Sequence, residues 1–450
     1  MNAKLIQKFN VPGPRYTSYP TVPYWDENGI SVQDWKSTLL QSFEDNRGEG
    51  ISIYIHLPFC ESLCTFCGCH KRITKRHEVE APYIQTLLKE WKLYTDLLPA
   101  KPKIREIHLG GGTPTFFGAD NLKKLINGIL EQAELAEHVE FSFEGHPNNT
   151  TREHLQELYD LGFRRVSFGV QDYDMGVQIA INRVQPFEQV QKVHQWAKEI
   201  GYISVNHDLV FGLPHQTEDS VRKTIEKTNE LKPDRIAYYS YAHVPWIKGV
   251  GQRGFDENDL PKDEEKRALY EIGKSMFYDN GYVEIGMDHF ALRSDSLYKA
   301  MESKTLHRNF MGYTTSNTRM LIGLGMSSIS DSWYGFAQNE KKLEDYQAQI
   351  DTGELAIFRG HKLNQEDLLL RRQILNVMCH FETTFDGNDE LFEDIKNDLS
   401  ELESCGLVNI SGNSITVPRE GIPFVRNICM AFDRRLKRSK PDRHLFSKTV

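Results

Sequence analysis

The chain has 450 residues, a net charge of −9 from 54 basic and 63 acidic side chains, and 39% hydrophobic content. That length exceeds one ordinary domain and can bury a large core without disulfides; the composition excludes collagen, coiled-coil and disordered chains. The acidic balance argues against a general nucleic-acid binder, and no apolar run approaches the roughly 18 residues that span a bilayer.

The opening MNAKLIQKFNVPGPR has no apolar stretch after its first lysine, so no secretory signal is expected and a cytoplasmic location is. Residues 1–45 contain VPGPRYTSYP, too rich in Pro and aromatics for a helix. They are expected to form an N-terminal extension lying over a barrel mouth or along its side. Strand patterns follow at 51–57, 104–110, 139–145, 164–171, 203–212 and 235–242, with amphipathic helical patterns around 81–98, 119–135, 151–161, 186–200 and 218–231. Strand then helix, repeated six times, predicts an α/β fold with a parallel sheet and right-handed connections. Several strands read as nearly continuous apolar runs, as expected where both faces are covered.

An open sheet and a partial barrel both satisfy this pattern. A partial parallel (β/α)6 barrel over 46–360 is preferred because polar residues gather at strand ends, where such folds place their chemistry. The cysteines follow the first strand and GGGTPT the second, Glu144 ends the third, Gln171 ends the fourth, Asp208 lies in the fifth and Ala242 ends the sixth. Residues 361–450 change texture to helix, turn, helix and a β-like ending, a small, mainly helical domain with winged-helix character. The closing DRRLKRSKPDRHLFSK is read as a solvated helix end and tail, with a docking face for an acidic electron donor as the sharper alternative.

Four of the seven cysteines, Cys60, Cys64, Cys67 and Cys69, crowd into ten residues, whereas Cys379, Cys405 and Cys429 are isolated and read as small buried hydrophobes. An odd total without an export signal implies reduced thiols. Thiolates spaced by four and then three suit three corners of a [4Fe–4S] cube, leaving one iron free of protein. Zinc usually closes a tetrahedron from two cysteine pairs, and no second pair is present, so it is the weaker alternative. Cys69, two residues from Cys67, would be strained as a fourth ligand of the same cube and is assigned to the substrate side or to packing.

The Cys-x3-Cys-x2-Cys motif after a first barrel strand resembles the radical S-adenosylmethionine (SAM) superfamily. YIHLPFCESLCTFCGC, together with RYTSYP, GGGTPT, DLVFGLPHQT and HRNFMGYTT, resembles one family within it, the oxygen-independent coproporphyrinogen III oxidases, also called coproporphyrinogen dehydrogenases. A paralogous haem chaperone family shares the three cysteines but generally lacks Cys69 and RYTSYP, so the chain sides with the oxidases. The resemblance implies that Cys60, Cys64 and Cys67 hold the cluster and that two SAM molecules bind. Tyr54, Gly111, Glu144 and Ile329 match positions around the first; Phe66, Gly112, Thr113, Gln171, Arg183, Asp208 and Ala242 match positions around the second.

The residue chemistry accords with those roles, each beside a plainer one. The GGG turn admits close backbone approach or simply joins strand to helix. Glu144 suits ribose hydroxyls or an ammonium, Asp208 needs a donor if buried, and Arg183 offers a planar fork to a carboxylate. Phe66 stacks on adenine or packs in the core. His56 is the catalytic candidate, facing a propionate, or else a hydrogen-bonded core histidine. Arg15, Arg308 and Lys248 are candidate cations for the substrate's carboxylates, and Tyr16 and Tyr19 line a flat slot or anchor the N-terminal segment. The implied reaction is the anaerobic decarboxylation of two propionates of coproporphyrinogen III to vinyl groups, giving protoporphyrinogen IX in haem biosynthesis. A 5′-deoxyadenosyl radical and a low-potential donor of flavodoxin or ferredoxin type would serve it. A monomer without membrane span or nucleic-acid partner is expected.

Overall fold

The computed structural model describes residues 3–25, 29–244, 251–252, 254–386, 389–439 and 446–449. Its centre is the expected parallel run: β1 (Ile51–Leu57), β2 (Lys103–Gly111), β3 (Glu134–Gly145), β4 (Phe163–Gln171), β5 (Ser204–Phe211) and β6 (Arg235–Ser240), hydrogen-bonded in chain order. The sheet extends further than the sequence pattern foretold. The hairpin β7 (Tyr282–Gly286) and β8 (His289–Leu292) adds antiparallel to β6. On the other flank β9 (Leu321–Leu324) pairs parallel to β1, followed by antiparallel β10 (Ile329–Asp331), β11 (Gly335–Asn339) and β12 (Ile357–Lys362). These twelve strands therefore form one open, mainly parallel sheet with two free edges.

Helices α1 (Glu80–Leu97), α2 (Ala119–Leu130), α3 (Arg152–Asp160), α4 (Met175–Ala180), α5 (Phe187–Ile200) and α6 (Glu218–Leu231) connect the parallel strands. In α1, Tyr83, Ile84, Leu87, Trp91 and Tyr94 recur at helical spacing and are all buried. Thr151 and Thr217 cap α3 and α6 by accepting from the backbone N–H three residues on. Gly201, at φ +113°, ends α5. The pattern over 119–135 is corrected: the helix stops at Leu130 because Glu134 and Leu135 pair with Lys103 and Ile104 at the start of β2. Ala242 is corrected too, lying beyond the end of β6 at Ser240.

The central strands are two-faced rather than uniformly apolar. Ile53, Ile55 and Leu57, Ile107 and Leu109, and Phe141 and Phe143 are buried in one continuous core with α1, α2 and α3. The alternate positions carry Tyr54 and His56, Glu106 and His108, Ser142 and Glu144, Ser167, and Asn206 and Asp208, pointing to the other face by the period of two.

The C-terminal region pairs helices Gln365–His380 and Asp389–Ser404 with a three-stranded antiparallel sheet of Glu382–Thr384, Ser414–Thr416 and Asn409–Ser411. Its core also takes in Phe9, Tyr16 and Tyr19. The N-terminal segment thus runs along this region: Tyr16 donates to Asp433 at 3.1 Å, and buried Arg426 donates to the Pro14 carbonyl at 2.9 Å. Of the two readings of Tyr16 and Tyr19, anchoring is the one seen. The helix Val32–Asp45 packs on β11 and β12 at the sheet's far flank. In the basic helix Arg434–Ser439, Arg434 pairs with Asp398 at 3.0 Å, Arg435 with Asp367 at 2.8 Å and Arg438 with Glu366 at 2.7 Å, and residues 440–445 of the same basic run lie outside the described residues.

Buried Arg235 on β6 is held by Asp295 at 2.7 Å, and Ser204 on β5 donates to the same carboxylate at 2.7 Å. Removing the acid leaves a desolvated guanidinium unpaired, so Asp295→Ala is expected to cost about 3–5 kcal/mol. Denaturant unfolding should show it as a lowered midpoint with an unchanged slope.

Candidate active site

The cysteine loop leaves β1 and is tied down on several sides. Arg72 N–H donates to the Pro58 carbonyl and Thr74 N–H to the Cys60 carbonyl, both at 2.9 Å. Thr65 donates through its N–H to the Ile181 carbonyl at 3.0 Å and through its hydroxyl to the Ala180 carbonyl at 2.9 Å. Asn182 donates to the Leu63 carbonyl at 2.8 Å. Cys60, Cys64 and Cys67 are half-buried, whereas Cys69 is exposed.

Each of the three sulfurs meets a donor from a different source. The Thr113 hydroxyl lies 3.3 Å from Cys60 Sγ, Arg183 Nη1 lies 3.7 Å from Cys64 Sγ, and the Cys69 N–H lies 3.5 Å from Cys67 Sγ. Hydrogen bonding from Cys69 brings the Cys67 thiol down to about 6, with Lys71 assisting, while burial pushes the Cys60 thiol up to about 11. Among the described residues no three His, Cys, Asp or Glu side chains stand close enough to hold one metal ion. The fit to a cluster rests instead on the donor chemistry: three soft ligands, each sulfur facing a hydrogen-bond donor.

The glycine turn brings β2 against this loop. Gly111 has φ +114°, and a Cβ there would lie 2.8 Å from the His56 ring. At Gly112 a Cβ would lie 2.6 Å from the Pro58 carbonyl, and its N–H donates to the Leu57 carbonyl at 2.9 Å. His56 is buried, with Nε2 2.9 Å from the His70 carbonyl and Nδ1 3.1 Å from the Tyr54 hydroxyl. A carbonyl only accepts, so Nε2 carries the proton and Nδ1 accepts from Tyr54. Burial drops the His56 pKa to about 4, so the ring is neutral and fully partnered.

The remaining residues line the mouth in register order. Tyr54 stacks on His108, and His108 reaches Ser142 at 2.8 Å and Glu144 at 3.4 Å. Asp208 accepts from Ser167 and Asn206, both at 2.7 Å, and burial raises its carboxyl to about 6. Arg183 also donates to the Gly169 carbonyl at 2.7 Å and to Gln185 at 3.2 Å. Gln171 closes β4 at φ +67°. Phe66 packs against Val177, Ile181, Val210, Leu213 and Tyr241. The Phe66 and Ala242 carbonyls both accept from Gln252 at 3.0 Å. Ile329 on β10 lies against Gly323 of β9, and Gly323 registers with Tyr54, so the sheet carries Ile329 beside β1.

Residues 54–228 match the radical SAM superfamily model. Over 99% of the chain, the sequence is 38% identical to the oxygen-independent coproporphyrinogen III oxidase of Helicobacter pylori, covering 98% of that protein. It is 37% identical to the Pseudomonas aeruginosa enzyme of that name over 100% of the chain and 98% of the relative. The solved coproporphyrinogen III oxidase of Escherichia coli, described as a radical SAM enzyme, superposes with a TM-score of 0.90 at 34% identity, covering 97% of this chain and 99% of that one. The chain belongs to the oxygen-independent coproporphyrinogen III oxidase family. It is therefore an oxidoreductase of the radical SAM class, and its family implies SAM and a [4Fe–4S] cluster as cofactors.

In this family member the inner sheet face lines a cavity of about 110 Å³ walled by Glu106, His108, Glu144, Asn206, Asp208 and Tyr239, among others. His108, Ser142, Ser167, Asn206, Gln185 and Gln252 escaped the sequence reading. The alternation with Glu144 and Asp208 could have flagged the strand residues, whereas nothing local marks the two glutamines. Arg15 pairs with Asp288 at 2.6 Å. Arg308 is buried over the Tyr313 ring at 4.5 Å. Arg15 is thus paired, whereas buried Arg308 keeps Nε and Nη1 without a hydrogen-bond partner among the described residues, and Lys248 lies outside the described residues. No helix among the described residues is long and apolar enough to cross a membrane.

Because the folded Asp208 carboxyl titrates near 6 and an unfolded one near 3.9, the folded state binds the extra proton between those values. Its contribution therefore weakens stability as pH rises from about 4 to 6, by roughly 3 kcal/mol at most. Asp208→Asn should flatten the stability profile in that window relative to wild type, measured by denaturant unfolding across pH.

Proposed function

We propose that this chain carries out the anaerobic oxidative decarboxylation of two propionate side chains of coproporphyrinogen III to vinyl groups, giving protoporphyrinogen IX. The observation that supports it most is the set of three thiols, each with its own donor, in the loop that follows β1 and packs on the glycine turn. When bound, the reduced cluster supplies the electron that splits SAM to a 5′-deoxyadenosyl radical able to abstract hydrogen from a propionate β-carbon. Cys60, Cys64 and Cys67 would hold the cluster.

Glu144 and Tyr54, with Gly111 and Ile329, would receive the first SAM. Thr113, Gly112, Gln171, Arg183, Asp208, Phe66 and Ala242 would receive a second. Asp208 would accept from ligand hydroxyl or amine groups, Arg183 would meet a carboxylate, and the glycine turn would offer backbone N–H groups at close range. His56, neutral and held at both nitrogens, would brace the Gly111 turn rather than exchange protons. The sheet and its helices would exclude water and oxygen from a site where a stray radical attacks the nearest C–H bond. The working units would be residues 1–45, 46–360 and 361–450, in a cytoplasmic monomer served by a low-potential carrier.

The test is an anaerobic assay of the reconstituted protein with coproporphyrinogen III, SAM and dithionite, with products identified by mass. Loss of two carboxyl groups per macrocycle is expected; stable haem retention without turnover would place the chain with the chaperones instead. Cys64→Ser should lose iron, sulfide and the visible cluster absorbance, and fall to background turnover. Its far-ultraviolet circular dichroism should stay unchanged, since Cys64 is half-buried in a loop.

A further inference from the structure

Glu144, at the end of β3, is held more loosely than Asp208. Its side chain is 45% exposed, and among the described residues one hydrogen bond reaches its carboxylate, from His108 Nε2 at 3.4 Å. Asp208 is buried and accepts from both Ser167 and Asn206. A glutamate half in solvent samples several rotamers, and giving them up on meeting a ligand opposes binding. The Glu144 carboxylate nevertheless lies low over the glycine turn: a Cβ at Gly110 would stand 3.0 Å from its Oε1.

Two neighbours fix the imidazole that reaches it. Tyr54, His108 and Ser142 stand directly opposite one another on β1, β2 and β3. Ser142 Oγ lies 2.8 Å from His108 Nδ1. A carboxylate only accepts, so Nε2 carries the proton that meets Glu144, and Nδ1 of the neutral ring accepts from the Ser142 hydroxyl. On the other side the Tyr54 ring lies at 16° to the imidazole, with 6.0 Å between centroids. Tyr54 is tied in turn to His56, and His56 to the His70 carbonyl that follows the cysteines. His108, Ser142 and Glu144 all line the same cavity.

We propose that His108 is a positioning residue for the first SAM molecule, holding one oxygen of Glu144 through its Nε2–H so that the other is presented to the ligand. The proposal rests on the functional reading above in assigning Glu144 to that molecule. A neutral ring kept in one tautomer by Ser142 and in one plane by Tyr54 donates to Glu144 without cancelling its charge. The carboxylate therefore keeps its pull on an ammonium or on ribose hydroxyls, with fewer rotamers left to lose. His108 touches neither ligand nor reacting atoms and acts through Glu144.

The test is a double-mutant cycle on the cluster-reconstituted protein, read as the Kd for SAM by titration calorimetry. His108→Phe keeps a ring against Tyr54 but removes the donor, and should raise the Kd about tenfold. Glu144→Gln should raise it at least as far, and the double variant should bind no more weakly than Glu144→Gln alone. His108→Gln, whose amide donates from a similar position, should stay within about threefold of wild type. Wild-type affinity in His108→Phe, or the same loss in the Glu144→Gln background as in wild type, would overturn the proposal. So would a loss in His108→Gln as large as that in His108→Phe. Should His108→Phe not fold, Ser142→Ala carries the cycle: a loss that vanishes with Glu144→Gln supports the relay, and an equal loss in both backgrounds refutes it. Wild type that binds SAM but leaves coproporphyrinogen III unchanged would sink the functional reading alone, with the cycle still deciding His108. Wild type that binds no SAM would overturn the proposal itself.

Discussion

Everything at the site depends on the two-faced character of the central strands. Residues such as Ile53, Ile107 and Phe143 bury their side chains among the helices, while their neighbours Tyr54, His108 and Glu144 point into the interior. Successive residues of a strand alternate faces, so a one-residue slip would turn the polar set into the helix-facing core and expose the apolar set to the cavity. Burial of the apolar face therefore determines register, and register determines which polar atoms meet. The ladder of Tyr54, His108 and Ser142, and that of Glu144, Ser167 and Asn206, are direct consequences.

Two further constraints refine the mouth. The glycine turn lets β2 ride against the His56 ring and the Pro58 carbonyl, distances that a side chain at either position would prevent. The cysteine loop is then clamped from several directions by backbone bonds to 180–181 and 72–74 and by Asn182 and Gln252. Three thiols in a flexible loop would lose considerable conformational freedom on meeting a cofactor; prior clamping removes much of that cost. Thr113 and Arg183 aim donors at two of the sulfurs, linking the first, second and fourth strand ends into one constellation.

Charged groups elsewhere illustrate how burial sorts cations by role. Arg15, Arg308 and the helix Arg434–Ser439 look alike in sequence to any cation that might meet a carboxylate substrate or an acidic partner. In the fold Arg15 pairs with Asp288 and the helix arginines with Asp398, Asp367 and Glu366, while Arg308 stacks on Tyr313 with Nε and Nη1 unpartnered among the described residues. The cations beside Cys60 and Cys67 are different because Lys75 and Arg76 stand exposed on a loop.

By itself the sequence determined the six strand positions, the intervening helices, the cysteine spacing and the glycine turn, because each is a local signal: periodicity, ligand spacing, or a backbone angle that only glycine adopts easily. It also carried enough motif to imply the family. Tertiary structure alone decided that β9 would join β1 in parallel, that the helix after Ala119 would yield its last turn to strand pairing, and that Tyr16 and Tyr19 would anchor rather than line a slot. It also decided that Gln252 would brace Phe66. Those outcomes depend on partners tens to hundreds of residues away, and a hydrogen bond or ion pair leaves no mark on the local pattern of either member.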